Sequence, residues 1–142
     1  MKISTKGRYG LRIMLDLAQY GGEKPRTINE ICKSQNLSTK YVSRLIIEFR
    51  RAGMIYSVRG AGGGYKLKRL PKHITLREIL EATEGRISIV DCVACPKKCS
   101  RSGDCLVRSV WSDINSKIAK IFESVTLQDI LNRNPSFTDY CI

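Results

Sequence analysis

Four glycines in five residues, Gly60-Ala-Gly-Gly-Gly64, separate two β-prone runs, Met54-Ile-Tyr-Ser-Val-Arg59 and Tyr65-Lys-Leu-Lys68. Glycine accepts positive φ without a steric penalty, so this run reads as the tip of a two-stranded hairpin. A hairpin so short cannot bury a core of its own. It must lean on whatever precedes it, and what precedes it is helical.

Residues 4–20 form a helix in this reading: Ser4 or Thr5 caps it, and Leu11, Met14, Leu15 and Ala18 fall on one face. Gly21-Gly22 and Pro25 end it. Thr27-Ile-Asn-Glu30 has capping-box spacing and opens a short helix that buries Ile28 and Ile31 and ends near Asn36. Cys32 reads as small core packing on that helix. Ser38 caps the next helix, whose stripe Tyr41, Val42, Leu45, Ile46 and Phe49 runs to a stop at Gly53. Two short helices across a tight turn make a helix-turn-helix, and a hairpin directly after one is a wing. Thr75 and Glu78 repeat the capping-box spacing and open a helix from Leu76 to Ala82, terminated by Gly85. The expected fold is mainly α with a small β-wing: a winged helix-turn-helix followed by a long C-terminal helix.

Charge supports a polyanionic partner for the first part. Residues 1–86 hold 18 Lys/Arg against 7 Asp/Glu, whereas residues 87–142 hold 7 against 6. Almost all of the +12 net charge therefore belongs to the winged part, as for a face that meets double-stranded DNA. A solvated basic surface is the simpler alternative. On the DNA reading, the N-terminal end of the 38–52 helix offers Ser38, Thr39, Lys40, Ser43 and Arg44 to base edges and phosphates. Arg59 sits at the wing base, beside Gly60 and Gly62, which permit close backbone approach. Lys2, Lys6, Arg8 and Arg12 are further phosphate candidates, while Arg50 and Arg51 read as a solvated face. Catalysis finds no support: there is one histidine, His73, placed on the surface, and Gly60–Gly64 lacks the Lys-Ser/Thr of a phosphate loop.

The remaining chain carries two features. Cys92, Cys95, Cys99 and Cys105 fall within fourteen residues, at spacings of two, three and five. Thiols this dense bind a cluster or a zinc ion, or form a reversible disulfide. No secretory leader is visible and no apolar run reaches the roughly 18 residues of a membrane span. A cytoplasmic, membrane-free protein is expected, which disfavours stapling disulfides. After the loop, Val107, Val110, Trp111, Ile114, Ile118, Ile121 and Phe122 stripe a helix from Leu106 to Ser124. A chain of 142 residues has little core left for such a stripe, so a second subunit is its natural cover, with packing on the first helix taking part of it. The expected division is 1–86 for DNA binding, 87–105 for the cysteine loop, and 106–142 for dimerisation helix and tail. In the tail only packing of Phe137 and Tyr140 is suggested, and Cys141 is assigned nothing.

Met1-Lys-Ile-Ser-Thr-Lys-Gly-Arg-Tyr-Gly-Leu-Arg12, Asn36-Leu-Ser, Gly53-Met-Ile and Ser57-Val-Arg-Gly-Ala-Gly-Gly-Gly-Tyr65 resemble the IscR/NsrR/CymR-type winged-helix regulators. Residues 88–111, with their spaced cysteines, resemble the cluster-binding members. The likeness covers about residues 1–131 and implies a homodimeric, cytoplasmic transcription regulator on a palindromic operator. It implies an iron–sulfur cluster on Cys92, Cys99 and Cys105, with 2Fe–2S favoured and 4Fe–4S the other option. The family's histidine and aspartate fourth ligands match Arg108 and Arg8 here, neither of which ligates iron, and Cys95 is the replacement. The CymR type lacks this cysteine set. A cluster-free regulator controlled by thiol oxidation or a protein partner is the alternative.

Overall fold

The structure, a computed structural model, describes residues 2–133. Phe137, Tyr140 and Cys141, named above, lie outside the described residues. The order is α1 (Thr5–Tyr20), α2 (Ile28–Gln35), α3 (Thr39–Arg51), β1 (Ile55–Val58), β2 (Gly64–Leu67), a 3-10 turn at Pro71–His73, α4 (Leu76–Glu84), α5 (Asp91–Ala94), a second 3-10 turn at Pro96–Lys98, α6 (Leu106–Ser124) and α7 (Leu127–Arg133). Among the described residues no helix is long and apolar enough to cross a membrane.

Local capping sets these boundaries. The Ser4 hydroxyl accepts the Gly7 N–H and starts α1. In α2 the Glu30 carboxylate accepts the Thr27 N–H at 2.8 Å while the Thr27 hydroxyl accepts the Glu30 N–H, and Thr75 with Glu78 repeats this at α4. Each such cap contributes about 1 kcal/mol. α2 closes on Asn36 at φ 52°, a left-handed residue, and Ser38 caps α3 two residues later. β1 and β2 pair antiparallel from Ile55 opposite Leu67 to Val58 opposite Gly64. Arg26 adds a bridge at the outer edge, its N–H donating to Tyr65 O at 2.9 Å and its carbonyl accepting the Tyr65 N–H at 2.8 Å. Gly64 makes that approach possible: its φ is +154° and a Cβ there would lie 2.6 Å from Arg26 O.

The core joins Ile13, Met14 and Leu17 of α1 to Ile31, Val42, Leu45, Ile46 and Phe49 of the helix-turn-helix, with Ile74 and Ile79 beside them. α1 packs closely on the Thr83 side chain of α4 at Gly10, where a Cβ would lie 2.7 Å from Thr83 Cγ2 and 3.1 Å from Phe49 Cζ of α3. Thr83 is itself buried, so it cannot swing away. Gly10→Val is therefore expected to lower the unfolding free energy by about 1–3 kcal/mol, as overpacking does, and chemical denaturation measures it.

α7 has no counterpart in the sequence reading. Leu127 is fully buried, and its N–H donates to Ile74 O at 2.9 Å while the Leu76 N–H donates to Val125 O at 2.8 Å. The chain after α6 thus returns to the core built by residues 13–79. A capping signature was present, since the Asp129 carboxylate accepts both the Thr126 N–H and hydroxyl. Asp in place of Glu hid it from the capping-box pattern.

Candidate nucleic-acid interface and cysteine loop

α3 turns Val42, Leu45, Ile46 and Phe49 into the core and leaves Thr39, Lys40, Arg44, Ile47, Arg50 and Arg51 exposed, with Ser43 half-buried. The five residues expected to meet DNA on this helix thus lie together at its N-terminal part, facing outward. Ser38 is partly occupied, because its hydroxyl accepts the Tyr41 N–H at 3.3 Å. Lys40, Arg44 and Arg59 enter none of the ion pairs among the described residues. Their charges face solvent uncompensated, which favours an anionic partner. In the wing, Arg59, Gly60 and Gly62 are all exposed, Gly60 has φ 105°, and the Gly63 N–H donates to Gly60 O at 3.0 Å.

Arg12 departs from its expected role. Its guanidinium lies over the Tyr9 ring and donates to Gln35 Oε1 at 3.0 Å and Gln35 O at 2.7 Å. It therefore satisfies a terminal carbonyl of α2 and braces α1 against the helix-turn-helix. Lys6 lies 3.7 Å from Glu48, and the Arg8 guanidinium donates to the Thr5 hydroxyl.

Asp16, which the sequence does not single out, anchors the winged helix-turn-helix. It is 2% exposed and accepts from Arg26 Nε at 2.8 Å, Gln35 Nε2 at 3.1 Å and the Ser34 hydroxyl. Arg26 stacks on Tyr20 and pairs its backbone with Tyr65 of the wing. One carboxylate thus joins α1, α2 and β2. Burial works against the Arg26 charge, but the hydrogen bond and charge of Asp16, with Glu30, hold its pKa above the ordinary value. The Thr27 backbone and hydroxyl hydrogen bonds hold Glu30 below the usual carboxylate range. The available signal was a single acid inside the apolar run Leu11–Ala18.

The cysteine loop is built from single helical turns. Cys92 lies in α5, Cys95 between α5 and the 3-10 turn, Cys99 just after that turn, and Cys105 just before α6. All four are half-buried free thiols. Among the described residues no three His, Cys, Asp or Glu side chains converge closely enough to hold a metal ion. The loop is tied to α6 instead. Arg108 Nε donates to Cys92 O at 3.0 Å and Nη1 to Ser102 O at 3.3 Å, while Asn115 accepts the Ile89 N–H at 3.0 Å. Arg108, at the position where the resemblance expects a histidine ligand, is a backbone brace. In donor chemistry the set fits a thiolate-bound cluster: four free, accessible thiols and no competing disulfide. In placement it holds them apart.

No residue from Glu84 to Thr126 is buried. Along α6, Val110 is 54% exposed, Trp111 38%, Ile114 37% and Ile121 61%. Ile118 and Phe122 are half-covered, and the cover comes chiefly from α4, with Phe122 sharing a cleft with Leu80 and Ile3, rather than from α1.

The profile of the Rrf2 family, described as an iron-dependent transcriptional regulator, matches residues 3–133. The HTH-type transcriptional regulator CymR of Bacillus subtilis is 39% identical over 139 residues, 98% of this chain and 93% of that protein. The solved structure of CymR, the global cysteine regulator of B. subtilis, superposes with a TM-score of 0.76 at 37% identity, covering 94% of this chain and 98% of the other. T. potens IscR superposes with a TM-score of 0.75 at 34% identity, covering 99% and 94%. With its helix-turn-helix, two-stranded wing and long sixth helix, the chain belongs to the Rrf2 family: it is a DNA-binding regulator of transcription, not an enzyme.

Proposed function

We propose that the chain acts in the cytoplasm as a homodimer on a palindromic operator, with its affinity set by an iron–sulfur cluster in the Cys92–Cys105 loop. α3 enters the major groove, where Ser38, Thr39, Lys40, Ser43 and Arg44 contact bases and phosphates; Arg59, Gly60 and Gly62 of the wing meet the adjacent backbone. α6 pairs with its copy through Val107, Val110, Trp111, Ile114 and Ile121.

One observation carries this reading: the four-thiol loop is tied to the exposed helix α6 by Arg108 and Asn115, and α6 leads through Leu127 into the core behind α3. A rearrangement of the loop is thereby delivered to the element that sets the spacing of two reading heads. Ahead of the loop, at the end of α4, the Glu84 carboxylate accepts the Ser4 N–H at 2.9 Å and links that helix to the start of α1. Cys92, Cys99 and Cys105, with Cys95 as fourth ligand, would hold the group. A bound cluster, 2Fe–2S by the likeness to IscR-type members or else 4Fe–4S, supplies one-electron and nitric-oxide-sensitive chemistry.

Anaerobic purification with iron and sulfide supplied is expected to give a brown protein. Cys92→Ser, Cys99→Ser or Cys105→Ser should abolish its visible absorption. A colourless wild type without iron or sulfide would overturn the cluster. A second reading, a cluster-free regulator controlled by thiol oxidation or a protein partner, draws on the separation of the four thiols and on the likeness to CymR. Oxidant-sensitive operator binding by metal-free protein would select it.

A further inference from the structure

Ile47 is 47% exposed in the middle of α3, on the one face the fold leaves outward. The core takes Val42, Leu45, Ile46 and Phe49 from this helix and has no use for it. Helix formation does not explain it either, because a β-branched residue at an exposed helical position is less favourable than Ala, Lys or Arg. Its neighbours on that face are Lys40, Ser43, Arg44, Arg50 and Arg51, and it shares a shallow cleft with the last two. At about 100° per residue Ile47 lies roughly 20° from Lys40 around the helix axis and roughly 40° from Arg51, in the centre of the cationic face.

Resting on the reading of α3 as the helix that enters DNA, we infer that Ile47 is a specificity-determining residue that contacts the C5-methyl of a thymine. Among the groups a base pair presents in the major groove, that methyl is the apolar one; the rest are hydrogen-bond donors and acceptors. Lys40 and Arg44, about two turns and one turn nearer the helix start, supply the polar contacts, and the branched side chain between them and Arg51 supplies an apolar one. Reach is adequate. Thr39 to Ile47 spans about 12 Å along the helix, comparable with a groove about 12 Å wide. Against water, burying one methyl corresponds to roughly a fourfold change in affinity.

The test uses the full chain, purified anaerobically, and an operator enriched from random duplex DNA. Each thymine is then replaced in turn by deoxyuridine, which removes the methyl and nothing else. Wild type is expected to lose roughly fourfold in affinity at one thymine per half-site. Ile47→Ala should bind the thymine and uridine operators equally at that position, and Ile47→Val should restore part of the discrimination. Both variants change an exposed side chain, and thermal melting verifies that they fold. Ile47→Ala keeping the full wild-type pattern of uridine sensitivity would sink the inference while leaving α3 as the reading helix. Failure of the wild type to enrich any sequence would remove the reading of α3 itself, and this inference with it.

Discussion

Val110→Asp combined with Ile114→Asp is expected to yield a monomer that binds its operator about a thousandfold more weakly. Both side chains are open on α6, 54% and 37% exposed, so the substitution leaves the subunit's own core untouched. Between subunits the effect is opposite. Burying a Val or Ile side chain is worth about 1.5–3 kcal/mol, while a carboxylate facing its copy across an apolar seam costs several kcal/mol in desolvation and repulsion. A two-headed binder gains about 10²–10⁴ over either head alone, and a monomer forfeits that gain. Sedimentation velocity measures the mass, and fluorescence anisotropy on operator DNA measures the affinity. A dimer that persists, with unchanged affinity, would show that α6 is not the seam. Far-ultraviolet circular dichroism should be preserved, since no residue from Glu84 to Thr126 is buried in one subunit.

Asp16→Ala should cost about 3–5 kcal/mol of folding free energy, the range for removing one partner of a buried ion pair. The carboxylate side chain is 0% exposed and that of Arg26 only 17%, so the guanidinium would be left without its counter-charge. Ser34 and Gln35 would lose an acceptor in the same step. Asp16→Asn keeps the shape and part of the hydrogen bonding and should fall between wild type and Asp16→Ala. Guanidinium denaturation monitored at Trp111 reads both. Because the network joins α1, α2 and, through Arg26, the wing, operator affinity should fall at temperatures where the variant is still folded. Equal denaturation midpoints for all three proteins would show that the network contributes nothing net.

The helices that open on a cap were legible from sequence because a cap is a local event. Thr27 with Glu30, Thr75 with Glu78 and Ser38 with Tyr41 each act across three residues, and each marks a helix start as expected. The helix from Leu106 to Ser124 was legible because its apolar period runs unbroken for five turns. α7 was not, since its cap uses Asp129 and its stability comes from Ile74, some fifty residues earlier. Arg12 looked like any cation available for phosphate, and only the fold brings Gln35 beneath it.

The same division holds at the functional residues. Charge distribution and the helix period already set Lys40, Ser43 and Arg44 on an outward face, because the side of a helix that a residue occupies follows from its position in the turn. Which charges stay free for a partner is another matter. Arg12, Arg26 and Arg108 are as cationic as Arg44, yet each is consumed inside the protein by a carbonyl or carboxylate distant in sequence. The cysteines follow suit: their spacing announces four soft ligands, whereas their separation and the brace from Arg108 depend on how the loop lies on α6. Residue type and local period decided what each part of the chain is able to do; long-range packing decided which of those groups remain available to do it.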